Sequence, residues 1–126
     1  SKETCWILLH GYTATPEEMK ELALKINKEK NQQVNVLRLE GHGEVPSHLY
    51  NKSINNWYAQ VNTEYENMKV ECKKINIVGS SMSSVIALRL AEEKELNKVY
   101  LLNPFFYPEK KWFKLPYFLL FIHASF

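Results

Sequence analysis

The chain has 126 residues, of which 45% are hydrophobic and 24% charged, a composition typical of a soluble globular domain. Its length is sufficient for one domain with a buried core. The formal net charge of +2 is too small to indicate nucleic acid or an anionic membrane as a partner. All fourteen acidic residues are glutamates, so a mechanism that needs an aspartate must obtain it from residues outside this sequence.

The first half of the chain predicts a strand, a helix and a second strand. Residues 4–10 are an apolar run that stops at His10-Gly11, which is typical of a buried strand. A capping pattern at Thr15 begins a helix to about residue 28. Its predicted apolar face consists of Met19, Leu22, Leu24 and Ile26. The alternating run QVNVLRL, residues 33–39, predicts the second strand.

The second half continues the alternation after a loop at residues 40–52. The predicted elements are a helix from Ser53 to about 70, a strand at 74–79, a helix at 81–93 and a strand at 98–102. Strands that alternate with helices favour parallel pairing, because each connection must cross the sheet. The fold class is therefore α/β, a mostly parallel sheet covered by helices on both faces.

The segment 104–126 differs from the preceding 1–103 because it is unusually rich in aromatic residues. Its longest apolar stretch, 115–122, is interrupted by Pro116 and is too short to span a bilayer. We interpret 1–103 as the core and 104–126 as a segment resembling a lid or cap over an apolar pocket. The alternative is a core helix that packs on a part of the protein outside this sequence.

Two cysteines, Cys5 and Cys72, fit neither a metal-ligand spacing nor a CxxC redox motif. Each lies beside an apolar strand-like run, so we expect buried, unpaired structural thiols. Together with the absence of a signal peptide, unpaired cysteines predict a cytoplasmic location. No metal site is predicted.

The run KINIVGSSMSS predicts a strand that turns sharply into a helix, with Ser81 at the turn. Such a nucleophile elbow requires small residues two positions before and after the serine, and Gly79 and Ser83 satisfy this requirement. If Ser80 were the nucleophile, the bulky Val78 would take the earlier position. Ser83 departs from the glycine of G-x-S-x-G. The alternative is that these serines only cap the helix.

Two backbone amides are candidates for an oxyanion hole. The turn directs the Met82 N–H toward a substrate carbonyl at the positive end of a helix. The motif His10-Gly11-Tyr12 closes the first strand, where the Tyr12 N–H would supply the second donor. The elbow and this motif are therefore expected to supply the two backbone donors of the same oxyanion hole.

The chain resembles the bacterial carboxylesterase and monoglyceride-lipase branch of the α/β-hydrolase superfamily. The resemblance covers about residues 4–103 and rests on four runs in the expected order: ILLHGYTATPEEM, LEGHGEVP, INNWYAQV and INIVGSSMSS. It implies an α/β-hydrolase sheet that is incomplete at its C-terminal side. It also implies that Ser81 attacks an ester carbonyl to form an acyl-serine, with the Tyr12 and Met82 amides holding the oxyanion and without a metal or cofactor.

The acid and histidine of the triad, which the resemblance places well after the nucleophile, have no match here. His10 is interpreted as structural and His42 and His48 as solvated loop residues, while His123 follows the aromatic stretch. Glu40, Glu44 and Glu109 are interpreted as surface loop residues. A serine without a base is a poor nucleophile, so this absence needs an explanation.

Several explanations remain open. The sequence is part of a longer enzyme, a truncated and inactive relative that binds an acyl ligand or protein, a chain completed by a second polypeptide, or an unrelated α/β binding fold. A Rossmann-type nucleotide binder is disfavoured, because no G-x-G-x-x-G follows a strand. The aromatic tail favours an ester with an apolar acyl group. The segment alone is expected to aggregate or oligomerise, because its last strand and tail would be poorly covered.

Overall fold

A computed structural model describes residues 2–10, 17–39, 54–80, 82–102 and 118–122 of the chain. Strands and helices alternate along most of this length. The elements are β1 (Lys2–Leu9), α1 (Glu17–Lys30), β2 (Gln33–Leu37), α2 (Ile54–Glu71), β3 (Cys72–Ser80), α3 (Ser83–Glu93), β4 (Lys98–Leu102) and β5 (Phe118–Ile122). The predicted elements are all present, with ends displaced by one to two residues for most of them.

Within the described ranges the strands form one sheet in the order β2-β1-β3-β4-β5, and every neighbouring pair is parallel. This confirms the predicted α/β class with a parallel sheet. From β1 the chain continues to β2 on one side, whereas β3 returns to the other side of β1 and leads outward to β4. The gap between β1 and β3 is therefore the point at which the strand order reverses.

Alternate residues of each strand enter two separate cores, one on each face of the sheet. The α2/α3 face, as we call it, buries side chains of all three inner strands beneath α2 and α3. The alternating strand residues are Cys5, Ile7, Leu9, Ile75, Ile77, Val99 and Leu101, and Cys72 at the start of β3 joins them out of phase with the alternation. The α1 face lies beneath α1 and contains Trp6, Leu8 and Val78 together with Met19 and Ile26 of the helix. The period of two in a strand assigns each side chain to its face.

Helix α1 contains one departure from its predicted apolar face. Met19 and Ile26 are buried and Leu22 is partly buried, but Leu24 is 62% exposed. Leu24 lies two residues from both Leu22 and Ile26, a spacing of roughly 200° around a helix, so it cannot share their face. The prediction for Leu24 was wrong because it followed apolar character and not helical spacing.

The aromatic tail contributes a fifth strand that the sequence did not predict. Phe118–Ile122 pairs in parallel with β4, with Lys98 opposite Phe118 and Leu102 opposite Ile122. A short apolar run such as FLLFI has no period that separates a strand from a buried helix. The other residues of 104–126 lie outside the described residues, and the lid interpretation stays a prediction for them. Among the described helices, none is long and apolar enough to cross a membrane.

The two cysteines are joined in a disulfide, which corrects the prediction of unpaired thiols. Cys5 of β1 and Cys72 of β3 are both buried within the α2/α3 face, and their Cα atoms lie 6.0 Å apart. Their burial was predicted correctly, but a separation of 67 residues gave no indication of their proximity. Pairing of β1 with β3 makes the two strands neighbours, although Cys5 is not directly opposite Cys72: Lys2 lies opposite Cys72 and Cys5 opposite Ile75.

Candidate active site

The carboxyl ends of β1 and β3 form the centre of the candidate site. Leu9 near the end of β1 lies opposite Gly79 of β3 in the parallel register. The predicted oxyanion segment follows Leu9 directly, and the predicted elbow follows Ser80. In open α/β sheets, ligands bind outside the carboxyl ends of the strands where the strand order reverses. The sheet topology alone therefore points to the edge that the motifs predicted.

Gly79 lies where β3 and α3 approach most closely. A Cβ atom at this position would lie 2.8 Å from the Ser83 carbonyl oxygen, 2.9 Å from the Ala87 Cβ and 3.0 Å from the Ser84 Cα. Two of these atoms belong to the helix backbone, which cannot move aside without displacing α3. Glycine is therefore required here for the strand to turn directly into the helix.

Ser83 connects the elbow to β1 through its hydroxyl group. Its Oγ accepts a hydrogen bond from the Ser80 backbone N–H at 2.7 Å. The same Oγ lies 2.8 Å from the Ser80 carbonyl oxygen and 3.1 Å from the Leu9 carbonyl oxygen, to which the hydroxyl donates. The side chain is almost completely buried, with 1% of its surface exposed. The motif usually has glycine at this position. Here the serine hydroxyl instead bridges the backbones of β3 and β1.

The remaining serines of the elbow differ in their surroundings. Ser84 is fully buried, and its Oγ has no hydrogen-bond partner within the described part of the chain. Burial therefore excludes Ser83 and Ser84 as nucleophiles that meet a substrate. Met82 has right-handed helical backbone angles and precedes the first residue of α3. The first N–H groups of a helix lack intrahelical acceptors and carry partial positive charge.

His10 contacts the chain beyond β2. Its Nε2 accepts a hydrogen bond from the Leu39 backbone N–H at 3.1 Å, and the ring is fully buried. An accepting Nε2 is unprotonated in this arrangement. Gln60 of α2 donates to the carbonyl oxygen of the neighbouring Arg38 at 2.5 Å. These two bonds fix the segment that leads into the predicted loop, and they are consistent with the structural role predicted for His10.

Helices α2 and α3 are joined by a polar cluster that the sequence did not predict. Tyr58 donates a hydrogen bond to the Glu93 carboxylate, and the Arg89 guanidinium lies 4.1 Å from the Tyr58 ring centroid. Arg89 also donates to the Asn55 side chain at 2.6 Å. Burial, the hydrogen bond to Glu93 and the charge of Glu93 raise the pKa of Tyr58, whereas Arg89 acts in the opposite sense.

Several predicted residues lie outside the described residues. Ser81, Gly11 and Tyr12 are among them, as are the other histidines and the loop glutamates considered for the triad: His42, His48, His123, Glu40, Glu44 and Glu109. The predicted site residues that the structure describes are His10, Gly79, Met82 and Ser83.

An open groove of about 610 Å³ lies at the opposite edge of the sheet, by the amino ends of β1 and β2. It is lined mostly by polar and charged side chains of both signs, including Lys2, Glu3 and Lys30. The predicted elbow is at the carboxyl edge, a full strand length away. This groove is therefore separate from the candidate site.

Two bacterial relatives match most of the chain in sequence. A thermostable monoacylglycerol lipase from Bacillus sp. (strain H-257) is 35% identical over 86 residues, which cover 68% of this chain and 34% of the lipase. A carboxylesterase from Bacillus subtilis (strain 168) is 31% identical over 85 residues, 67% of this chain and 34% of the esterase. The chain belongs to the α/β-hydrolase superfamily. Within that superfamily it falls in the carboxylesterase and monoacylglycerol-lipase branch, as the motifs predicted.

Solved α/β-hydrolase structures share this fold. A structure described with two metagenome-derived lipolytic enzymes has a TM-score of 0.73 at 21% identity, covering 82% of this chain and 42% of that one. An extracellular α/β-hydrolase from a Paenibacillus species has a TM-score of 0.66 at 19% identity, covering 84% and 42%. No protein-family model matches the chain. The matched region spans about one third of the length of the curated relatives.

Proposed function

We propose that this α/β-hydrolase chain carries the nucleophile and oxyanion hole of a serine hydrolase that cleaves carboxylic esters. Ser81 is the nucleophile and forms an acyl-serine, and the backbone amides of Tyr12 and Met82 hold the oxyanion. The single observation that supports this most is the pairing of Leu9 with Gly79, because it makes the strand ends that precede the two motifs neighbours.

The crowding at Gly79 provides a second line of support. An elbow needs a strand that enters a helix through a very short turn, and the contact between Gly79 and the start of α3 leaves no room for a side chain. The N–H groups at this end of α3 can stabilise developing negative charge, since they are fixed in place before the reaction begins.

The acid and the base of the triad must come from other residues. His10 is engaged with the Leu39 N–H through Nε2, which leaves that nitrogen unable to accept a proton from a serine without breaking the bond. We propose that the base and acid are supplied by further chain or by a second polypeptide. An inactive relative that binds acyl ligands would have the same frame without them.

The proposed substrate is an ester with an apolar acyl group. The sequence relatives named above are a monoacylglycerol lipase and a carboxylesterase, and the aromatic tail of this chain is suited to an acyl chain. Aggregation or association into oligomers is proposed for the 126-residue chain on its own. A cytoplasmic location stays a prediction, and the disulfide removes the unpaired cysteines on which it depended.

A labelling experiment with a fluorophosphonate probe tests the proposal on the full encoded chain. The wild type is expected to gain one probe per chain and to hydrolyse p-nitrophenyl esters, whereas Ser81→Ala should do neither. Labelling that persists in Ser81→Ala would assign the nucleophile to another residue. A folded wild type that neither labels nor hydrolyses esters would contradict the enzymatic proposal and favour a binding protein.

A further inference from the structure

We propose that Ser83 is a positioning residue that holds the two oxyanion-hole segments in register. The proposal rests on the ester-hydrolase function proposed above. Ser83 does not contact the substrate in this mechanism. It acts through the backbone of the elbow and of β1, which its hydroxyl joins.

The donor and one acceptor site of the Ser83 hydroxyl are occupied by backbone groups. It accepts from the Ser80 N–H at 2.7 Å, and its one hydrogen is shared between the carbonyl oxygens of Ser80 and Leu9 at 2.8 and 3.1 Å. A serine hydroxyl offers one donor and two acceptor sites. Since the group is buried, water cannot replace these partners without opening the packing of α3 on the sheet.

These bonds join the backbone on either side of the proposed nucleophile in the sequence. The two bonds to Ser80 connect the end of β3 to the start of α3 across the turn that contains Met82. The bond to Leu9 ties that turn to the last residue of β1, three residues before Tyr12. One side chain therefore links the turn bearing the Met82 amide to the strand that leads to the Tyr12 amide.

A glycine at position 83 would fit the elbow but would provide no such link. The strands would still pair through their backbones, because the sheet register does not depend on this hydroxyl. The relative placement of the two amides would then be held less tightly. Errors of about 1 Å in such a site are enough to cost roughly a hundredfold in rate.

The adjacent Ser84 provides a matched control. Both residues are buried in the first turn of α3, but the Ser84 hydroxyl has no hydrogen-bond partner among the described residues. Ser84→Ala also removes a buried serine hydroxyl from α3, but it breaks no hydrogen bond among the described residues. Removing an unpaired buried hydroxyl is expected to leave stability unchanged or slightly improved.

The test compares Ser83→Ala, Ser83→Gly and Ser84→Ala in the full encoded chain, assayed with a p-nitrophenyl ester well below each variant's thermal midpoint. Both Ser83 variants are expected to lower kcat about tenfold with KM within twofold, because oxyanion bonds form mainly in the transition state. Ser84→Ala should retain the wild-type kcat. Ser83→Gly provides the comparison if the alanine variant does not fold.

Three outcomes would overturn the proposal. If Ser83→Ala or Ser83→Gly folds with kcat within twofold of wild type, the bridge does not position the oxyanion hole. If Ser84→Ala loses as much kcat as Ser83→Ala, the loss reflects general packing of α3. If the wild type neither hydrolyses esters nor reacts with the probe, the proposed function itself fails. Only this last outcome removes both proposals together.

Discussion

The two faces of the sheet differ in how completely their helices cover them. Counted over the residues that the structure describes, the α2/α3 face has twenty buried residues in one cluster. The α1 face has five, and several of its other apolar side chains are only partly buried: Leu22, Ala23, Val34, Val36, Tyr100 and Leu102. The same strands supply both cores, so the difference comes from the helices.

This difference matters because the elbow belongs to the better-packed face. Helix α3 contacts β3 and β4, and α2 packs beside it on the sheet. The Tyr58 and Tyr65 hydroxyls of α2 donate to the Glu93 carboxylate at the end of α3 and to the Glu95 carbonyl oxygen just after it. Catalytic groups perform best on elements whose geometry is fixed by packing. Among the described residues, the α2/α3 face therefore provides the more closely packed frame for the candidate site.

Of the changes considered, loss of the disulfide is expected to lower the free energy of unfolding most, and it acts on the α2/α3 face. The Cys5–Cys72 bridge lies within the α2/α3 face and closes a separation of 67 residues. For a loop of that length, chain entropy predicts a loss of roughly 4 kcal/mol on removal. The double variant Cys5→Ala, Cys72→Ala should show this loss by urea unfolding of the full encoded chain.

Reduction of the wild type by dithiothreitol provides the control for that variant, since it opens the bridge while keeping both side chains. It should lower the unfolding midpoint in the same direction. A wild type that titrates two free thiols after denaturation without reductant would contradict the disulfide itself. It would also restore the premise of the cytoplasmic prediction.

Replacing one leucine by alanine on each face is expected to give the next largest loss of unfolding free energy. Leu90 of α3 is fully buried in the α2/α3 face, whereas Leu22 of α1 is only partly buried. Leu90→Ala should cost about 3 kcal/mol in unfolding free energy, because it leaves a cavity in a filled core. Leu22→Ala should cost less than about 1 kcal/mol. Equal losses in urea unfolding would mean that the α1 face is as tightly packed in solution.

The smallest predicted effect is on how steeply the thermal midpoint falls at alkaline pH. The pKa of Tyr58 is raised from 10.0 by burial and by Glu93, so its protonated form is favoured in the folded state. A raised pKa contributes stability that is complete below about pH 10 and falls as the pH increases beyond it. Tyr58→Phe should flatten the decline of the thermal midpoint above pH 10.

Tyr65 supplies the comparison for Tyr58. Burial and the charges of Glu66 and Glu95 also raise its pKa, so Tyr65→Phe should flatten the same part of the profile. A midpoint that declines identically in wild type and in both variants above pH 10 would indicate that neither phenol is favoured in its protonated form. The link between α2 and α3 would then contribute nothing to alkaline stability.

The sequence alone was sufficient to predict the order and type of the main helices and strands. Alternating helices and strands predicted the parallel sheet, and the small-residue pattern around Ser81 predicted a close contact at Gly79 that the structure contains. Such features are local, because hydrophobic period and steric size are properties of residues near one another in the chain. The burial of His10 and its structural bond also agree with the interpretation of its motif.

Other features became visible only in three dimensions. The Cys5–Cys72 bond, the bridge from Ser83 to Leu9 and the strand formed by Phe118–Ile122 all join residues distant in sequence. No local pattern encodes which strands will be neighbours, because strand order depends on how the whole chain packs. The sequence determined which residues suit a nucleophile elbow and its oxyanion loop. Only the tertiary structure decided that β1 and β3 pair, which brings the ends of the two strands that precede those segments side by side.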